Sequence, residues 1–135
     1  MDLNECYKKG FIKKTKINRE LINSLIEMSN IKEETINSAR LNERNISAYV
    51  SMAYESLREI LEAICISKGY KINSHLCLGE FLKKLLKNFD FNEFDRLRYI
   101  RNGINYYGTQ IEFKQGKEII QKIFSFKKNV LKELK

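Results

Sequence analysis

Proline is missing from all 135 residues, and glycine occurs only six times. Proline removes a backbone donor and clashes inside a helix, so its absence is what a mostly helical chain requires. Tryptophan is absent too, and histidine occurs once, as His75. With one histidine and three cysteines (Cys6, Cys65 and Cys77), none paired at metal-ligand spacing, a zinc site is not expected. An odd cysteine count with no secretory segment at the N-terminus reads as reduced thiols in a cytoplasmic protein. No apolar run approaches the roughly 18 residues that a membrane span needs.

What is present is charge and helical periodicity. Twenty-five basic and seventeen acidic residues leave a net charge of +8, which favours an acidic partner such as nucleic acid. The lysines are dispersed over several segments rather than gathered in a tail, so a soluble lysine-rich surface explains them equally well. A chain of this length buries roughly two-thirds of its unfolded surface, enough to fold as one domain, residues 1–135, without a metal or disulfide.

Residues 3–14 are ambiguous, with Gly10 and the lysines weakening a helical pattern. Leu21, Ile22, Leu25 and Met28 keep helical spacing and predict a helix over 15–29. Asn30 followed by Glu33 resembles a capping box, so a second helix is expected from there to about Asn42. The strongest signal spans 43–68: Ile46, Val50, Ala53, Leu57, Ile60, Leu61 and Ile64 form one apolar stripe. Glu55, Arg58, Glu59 and Glu62 occupy the other face, which is read as solvated, with Arg58 placed to pair with Glu55 or Glu62. Gly69 then ends the helix as the residue just past its cap. Tyr70 to Asn73 reads as a loop, Ser74 as the cap of a helix over 75–88, and further helices follow at 92–107 and 115–134. No stretch alternates as a strand would. The fold class expected is all-α, an antiparallel bundle of four to five helices.

The densest polar cluster lies between Arg96 and Gly108. Leu97, Ile100, Ile104, Tyr107 and Ile111 share one face, which the phase assigns to the core. Arg98, Asn102, Asn105 and Tyr106 share another, with Arg101 at the border. Arginine offers a planar fork suited to phosphate, asparagine can orient a hydroxyl or a base edge, and tyrosine can stack. The competing reading is that these arginines pair with Glu55 or Asp95 and merely hold the bundle together. Conventional enzyme sites are not visible. A nucleophile needs a neighbouring base, the lone His75 reads as a helix cap or a half-buried residue, and Gly103 with Gly108 lacks a phosphate-loop pattern.

Three stretches together resemble the HEPN (higher eukaryotes and prokaryotes nucleotide-binding) family: Ser47–Ala63 (SAYVSMAYESLREILEA), Gly69–His75 (GYKINSH) and Phe94–Asn102 (FDRLRYIRN). The resemblance covers about residues 40–112. It implies a helical bundle that forms a homodimer, a metal-independent RNA-cleaving site where two copies of an Arg–polar–His motif meet, and, for small members, pairing with a minimal nucleotidyltransferase as toxin and antitoxin. Arg101 and Asn102 match that motif, but Tyr106 stands where the histidine is expected, five residues after Arg101. A phenol, ordinarily titrating near pH 10, is a poor base at neutrality. The resemblance therefore implies an RNA- or nucleotide-binding protein of weak or no ribonuclease activity, with no cofactor. Arg101, Asn102 and Tyr106 stand at the catalytic positions, and Arg98, Asn105, Glu55 and Arg58 at substrate-binding ones. An active ribonuclease using Arg101, Asn102 and a tyrosine or His75, and a purely structural interaction module, are the alternatives.

Overall fold

The computed structural model describes residues 1–134 and is built almost entirely of helices. In chain order these are α1 (Leu3–Lys8), β1 (Ile12–Lys14), α2 (Arg19–Ser38), α3 (Ile46–Ser67), β2 (Tyr70–Ile72), α4 (His75–Leu85), α5 (Phe91–Tyr107) and α6 (Phe113–Leu131), followed by a 3₁₀ turn at Lys132–Leu134. The all-α bundle expected from the periodicity is what forms. Among the described residues it has six helices, four of them long: α2, α3, α5 and α6.

α3 is the axis. Its apolar stripe from Ile46 to Ile64 is buried as expected, and burial also reaches Tyr54, Ser56, Glu59 and Ile66 on its other sides. Neighbours surround it: α2 and α6 on two flanks, α5 on a third and β2 at its end. Ile22 of α2 packs with Ala63 and Ile66, so α2 runs against α3. Gly116, early in α6, meets Ile46, early in α3, and Leu134 lies beside Ala63 and Ile66 near the other end. α3 and α6 are therefore parallel, each reversed relative to α5.

Several expectations need correction. The helices expected at 15–29 and 30–42 are one helix, α2, whose true cap is Asn18, its side chain accepting from the Leu21 amide at 3.1 Å. Asn30 and Glu33 sit inside it. The capping-box pattern loses here because breaking the helix at Asn30 would interrupt the packing of Ile22, Ser29 and Ile36 along α3. Tyr70–Ile72 is not a loop but a strand, paired antiparallel to β1 with Ile12 opposite Ile72. Three-residue strands are too short to show an alternating pattern. Gly69 does end α3 as expected, with φ +86°, and Ser74 does cap α4, accepting from the Cys77 amide.

The face of α3 read as solvated is not free. Glu59 is buried and takes Lys32 of α2 at 2.9 Å on both carboxylate oxygens. Lys127 of α6 is likewise buried and pairs with Glu33 of α2 at 2.7 Å. Nor are all three thiols reduced: Cys6 and Cys77 form a disulfide joining α1 to α4, and Cys65 is free. The 71 residues separating the two in sequence hid the pair, which folding brings to a Cα separation of 5.8 Å. No helix among the described residues is long and apolar enough to cross a membrane.

Candidate nucleic-acid interface on α5

The cluster singled out in the sequence becomes a seam between α3 and α5. Asp90 caps α5 by accepting from the Glu93 amide, and Gly108, in the left-handed region at φ +65°, ends it. Phe94 and Leu97 anchor the helix in the core. That fixes the rotation of everything between them and Gly108. α3 meets it with a polar stripe, Ser47, Ser51, Tyr54, Glu55, Arg58 and Glu62, spaced at helical intervals along the flank of its apolar stripe.

Arg101 is the hub. Its guanidinium lies 5.7 Å from the Tyr54 ring centre and 5.5 Å from that of Tyr106. Nη1 donates to Asn102 Oδ1 at 3.2 Å and to the Tyr106 hydroxyl at 3.4 Å. Nη2 is 3.2 Å from Glu55 Oε1, an ion pair without hydrogen-bond alignment. Among the described residues, Glu55 Oε1 and Arg101 Nε are buried without a hydrogen-bond partner. Such atoms cost free energy unless something satisfies them, so the hub is under-bonded where it meets α3.

The other arginines are more completely neutralised. Arg58 donates Nε to Glu55 at 2.8 Å and lies 2.7 Å from Glu62, and these two carboxylates hold its proton more tightly than burial loosens it. Arg98 pairs with Asp95 at 2.9 Å. Asn105 Oδ1 accepts from Ser51 at 2.8 Å. Of the seven site residues expected from sequence, Glu55, Arg58, Arg98, Arg101 and Asn105 lie in this seam, and Asn102 and Tyr106 reach it through Arg101 from the outer side of α5. Three of its arginines meet three carboxylates there, so the seam is nearly neutral rather than a bare cationic patch.

His75, on a different helix, joins the seam through tertiary packing. Its ring stacks on Tyr54 with centres 5.6 Å apart, and Nδ1 lies 2.9 Å from the Tyr54 hydroxyl. Tyr54 is fully buried, and burial pushes its hydroxyl well above the usual phenol range despite Arg101 nearby. With Tyr54 protonated, its hydroxyl donates to Nδ1 and both groups are satisfied, which places the imidazole proton on Nε2. Burial, and then the positive charge of Arg101, lower His75 to about 4. A neutral, weakly basic imidazole with one nitrogen occupied is a poor general base. Cys65 is no nucleophile either, since burial and then Glu62 push its thiol up to about 12.

A pH dependence follows. Above pH 6.5 His75 is neutral in both folded and unfolded chains. Between 6.5 and about 4 the unfolded chain binds the proton and the folded one does not, so stability declines as pH falls through that window. Denaturant unfolding at a series of pH values checks this. In His75→Asn the slope across the same window should flatten, and an unchanged slope would assign it to other groups.

The outer side of α5 differs in kind. Tyr99, Tyr106 and Tyr107 are 76, 68 and 83% exposed. Together with Asn102, Gly103 and Thr109 they line a shallow depression of about 600 Å³. Tyr107 thus corrects the expectation that its phase carries it into the core: it lies about 80° round the helix from Leu97 and about 140° from Phe94, the two residues that anchor α5, and so points away from the buried side. Tyr99 was not among the residues singled out by sequence, although its spacing from Asn102 and Tyr106 is helical. Tyr54 and Ser51 were missed too, and the polar periodicity of α3 was the available signal for both, whereas the pairing of Asp95 with an arginine was anticipated. No group of three or more potential metal ligands occurs among the described residues.

The chain matches no protein-family model, no curated protein and no solved structure.

Proposed function

We propose that this chain is a HEPN-type, dimeric, cytoplasmic protein that binds RNA or a nucleotide on α5 and cuts RNA weakly or not at all. The observation that carries the reading is the set of three largely exposed tyrosines on the outer side of α5, one of which, Tyr106, lies against Arg101. Bases stack on such rings at about 1–3 kcal/mol each, with little regard to sequence. Arg101, Asn102 and Tyr106 supply the fork, the amide and the hydroxyl for a phosphate or ribose. The weakness of cleavage follows from the bases on offer: Tyr106 is a phenol, and His75 is tied to Tyr54. Two copies meeting along α5 would join two Arg101–Asn102 pairs in one cleft, and a minimal nucleotidyltransferase is the partner that completes a toxin–antitoxin pair. Both sulfurs of the Cys6–Cys77 bridge are buried, which shields them from the soluble thiols of a cytoplasm.

One observation favours a second reading. Arg101 is set against Glu55, and Arg58 and Arg98 have acidic partners of their own. On that reading the seam is an internal ion network in a structural module. Incubation with single-stranded RNA and a chelator, followed by analysis of product ends, separates the alternatives for catalysis. Only traces of 2′,3′-cyclic phosphate are expected; rapid cleavage abolished by Arg101→Ala would establish an active ribonuclease instead.

A further inference from the structure

The chain exposes apolar side chains in a second place, far from α5 in sequence and, unlike the nearly neutral seam there, flanked by acidic residues. Among the described residues, four of the nine exposed large hydrophobics lie on or just before α2: Ile17, Leu21, Met28 and Ile31, between 39 and 56% exposed. Their order is not scattered. Leu21, Ser24, Met28, Ile31 and Thr35 follow a 3-4-3-4 spacing, the seam of a coiled coil, and Ile17 extends it one step back. All are exposed. Glu20, Glu27 and Glu34 recur at seven-residue intervals directly beside this seam and are exposed as well. α2 as a whole has four glutamates against one arginine and one lysine, in a chain whose net charge is +8. Next to the seam, Leu25 enters the wall of a cleft of about 200 Å³ lined by Cys65, Ile66, Tyr70 and Leu78, where a partner's side chain could seat.

We infer that the outer face of α2 is a docking surface for a basic amphipathic helix of a partner protein. The helix spans about 30 Å at 1.5 Å per residue, long enough for a full seam. The charges choose the occupant. An acidic row repels RNA and anionic membranes. A second copy lying antiparallel would set the glutamate row against itself. Lying parallel, it would offer that row only Asn18, Leu25 and Lys32, and Lys32 is already held by Glu59 at 2.9 Å. A partner helix with apolar residues at the same spacing and Lys or Arg beside them satisfies both the seam and the row.

The test uses the full chain with two labelled synthetic helical peptides of identical apolar seam, one flanked by lysines and one by glutamates, read by fluorescence anisotropy. Net charge alone predicts that the glutamate peptide binds tighter. The inference predicts the reverse, with the lysine peptide at least tenfold tighter. Leu21→Ser with Met28→Ser, both at exposed positions, should abolish that binding while the circular dichroism stays unchanged. Glu20→Lys with Glu27→Lys and Glu34→Lys should invert the preference. Absence of saturable binding, a preference for the glutamate peptide, or a lysine-peptide preference that survives the charge reversal would each overturn the assignment. So would a self-association of the chain that Met28→Ser breaks, which would give the seam to a second copy.

Discussion

Cys6→Ser is expected to destabilise the protein by about 4 kcal/mol, since a cross-link closing a loop of some 70 residues removes that much chain entropy from the unfolded state. The bridge has no local substitute. α1 has six residues, far too few for a helix that stands by itself, and it packs mainly on α4 and β1. Both sulfurs are completely buried, so the serine hydroxyl would also enter a dry site. Urea unfolding of the wild type should shift toward that of Cys6→Ser when a strong reductant is added, and Cys77→Ser should behave like Cys6→Ser. Alkylation of the denatured, unreduced protein should label one thiol, Cys65. Three labelled thiols, or equal stability with and without reductant, would contradict the bridge.

Gly116→Ala should be destabilising by about 2 kcal/mol, the overpacking cost less the gain in helix propensity. The sign is the informative part. Glycine inside a helix is ordinarily improved by alanine, by up to about 1 kcal/mol. At Gly116, however, an added Cβ would run into Ile46 Cγ1 and lie 3.3 Å from Cδ1 of the same side chain. Carbon atoms in contact prefer about 3.5–4.0 Å. Ile46 is fully buried and its branched side chain has one favoured rotamer in a helix, so it cannot swing aside. A thermal melt of Gly116→Ala should therefore move down. Gly116→Ala combined with Ile46→Ala should lose less than the sum of the single variants, because the second substitution makes room for the first. A stabilised Gly116→Ala would mean that α3 and α6 are not packed this closely.

Periodicity made most of the fold legible. The stripe from Ile46 to Ile64, the Gly69 stop, the Ser74 cap and α5 all stand where the spacing places them, because each depends on neighbours within a turn or two. The failures are those of long range. Cys6 with Cys77, Ile12 with Ile72, and Glu59 with Lys32 are contacts between distant segments, which local spacing does not encode. Asn30 and Glu33 failed for the opposite reason: a local cap signal was overruled by the packing of α2 on α3. At the site, the convergence of Arg101 with Glu55 could be read from charge and phase. The stacking of His75 on Tyr54 could not, since nothing local ties α4 to α3. The exposure of Tyr107 was hidden because its spacing groups it with Leu97, Ile100 and Ile104, whereas the face that α5 buries is centred on Phe94 and Leu97.

The most direct measurement is a titration of a labelled single-stranded RNA against the wild type, Arg101→Ala and the exposed double variant Tyr99→Ser with Tyr106→Ser, at two salt concentrations. If α5 holds RNA by stacking beside a fixed guanidinium, the wild type binds saturably and more weakly in high salt, the double variant loses at least tenfold, as about 1–3 kcal/mol for each of two lost stacks requires, and Arg101→Ala also binds more weakly. Binding that is absent in the wild type, or equal in all three proteins, would contradict it and leave the seam as the ion network of a structural module.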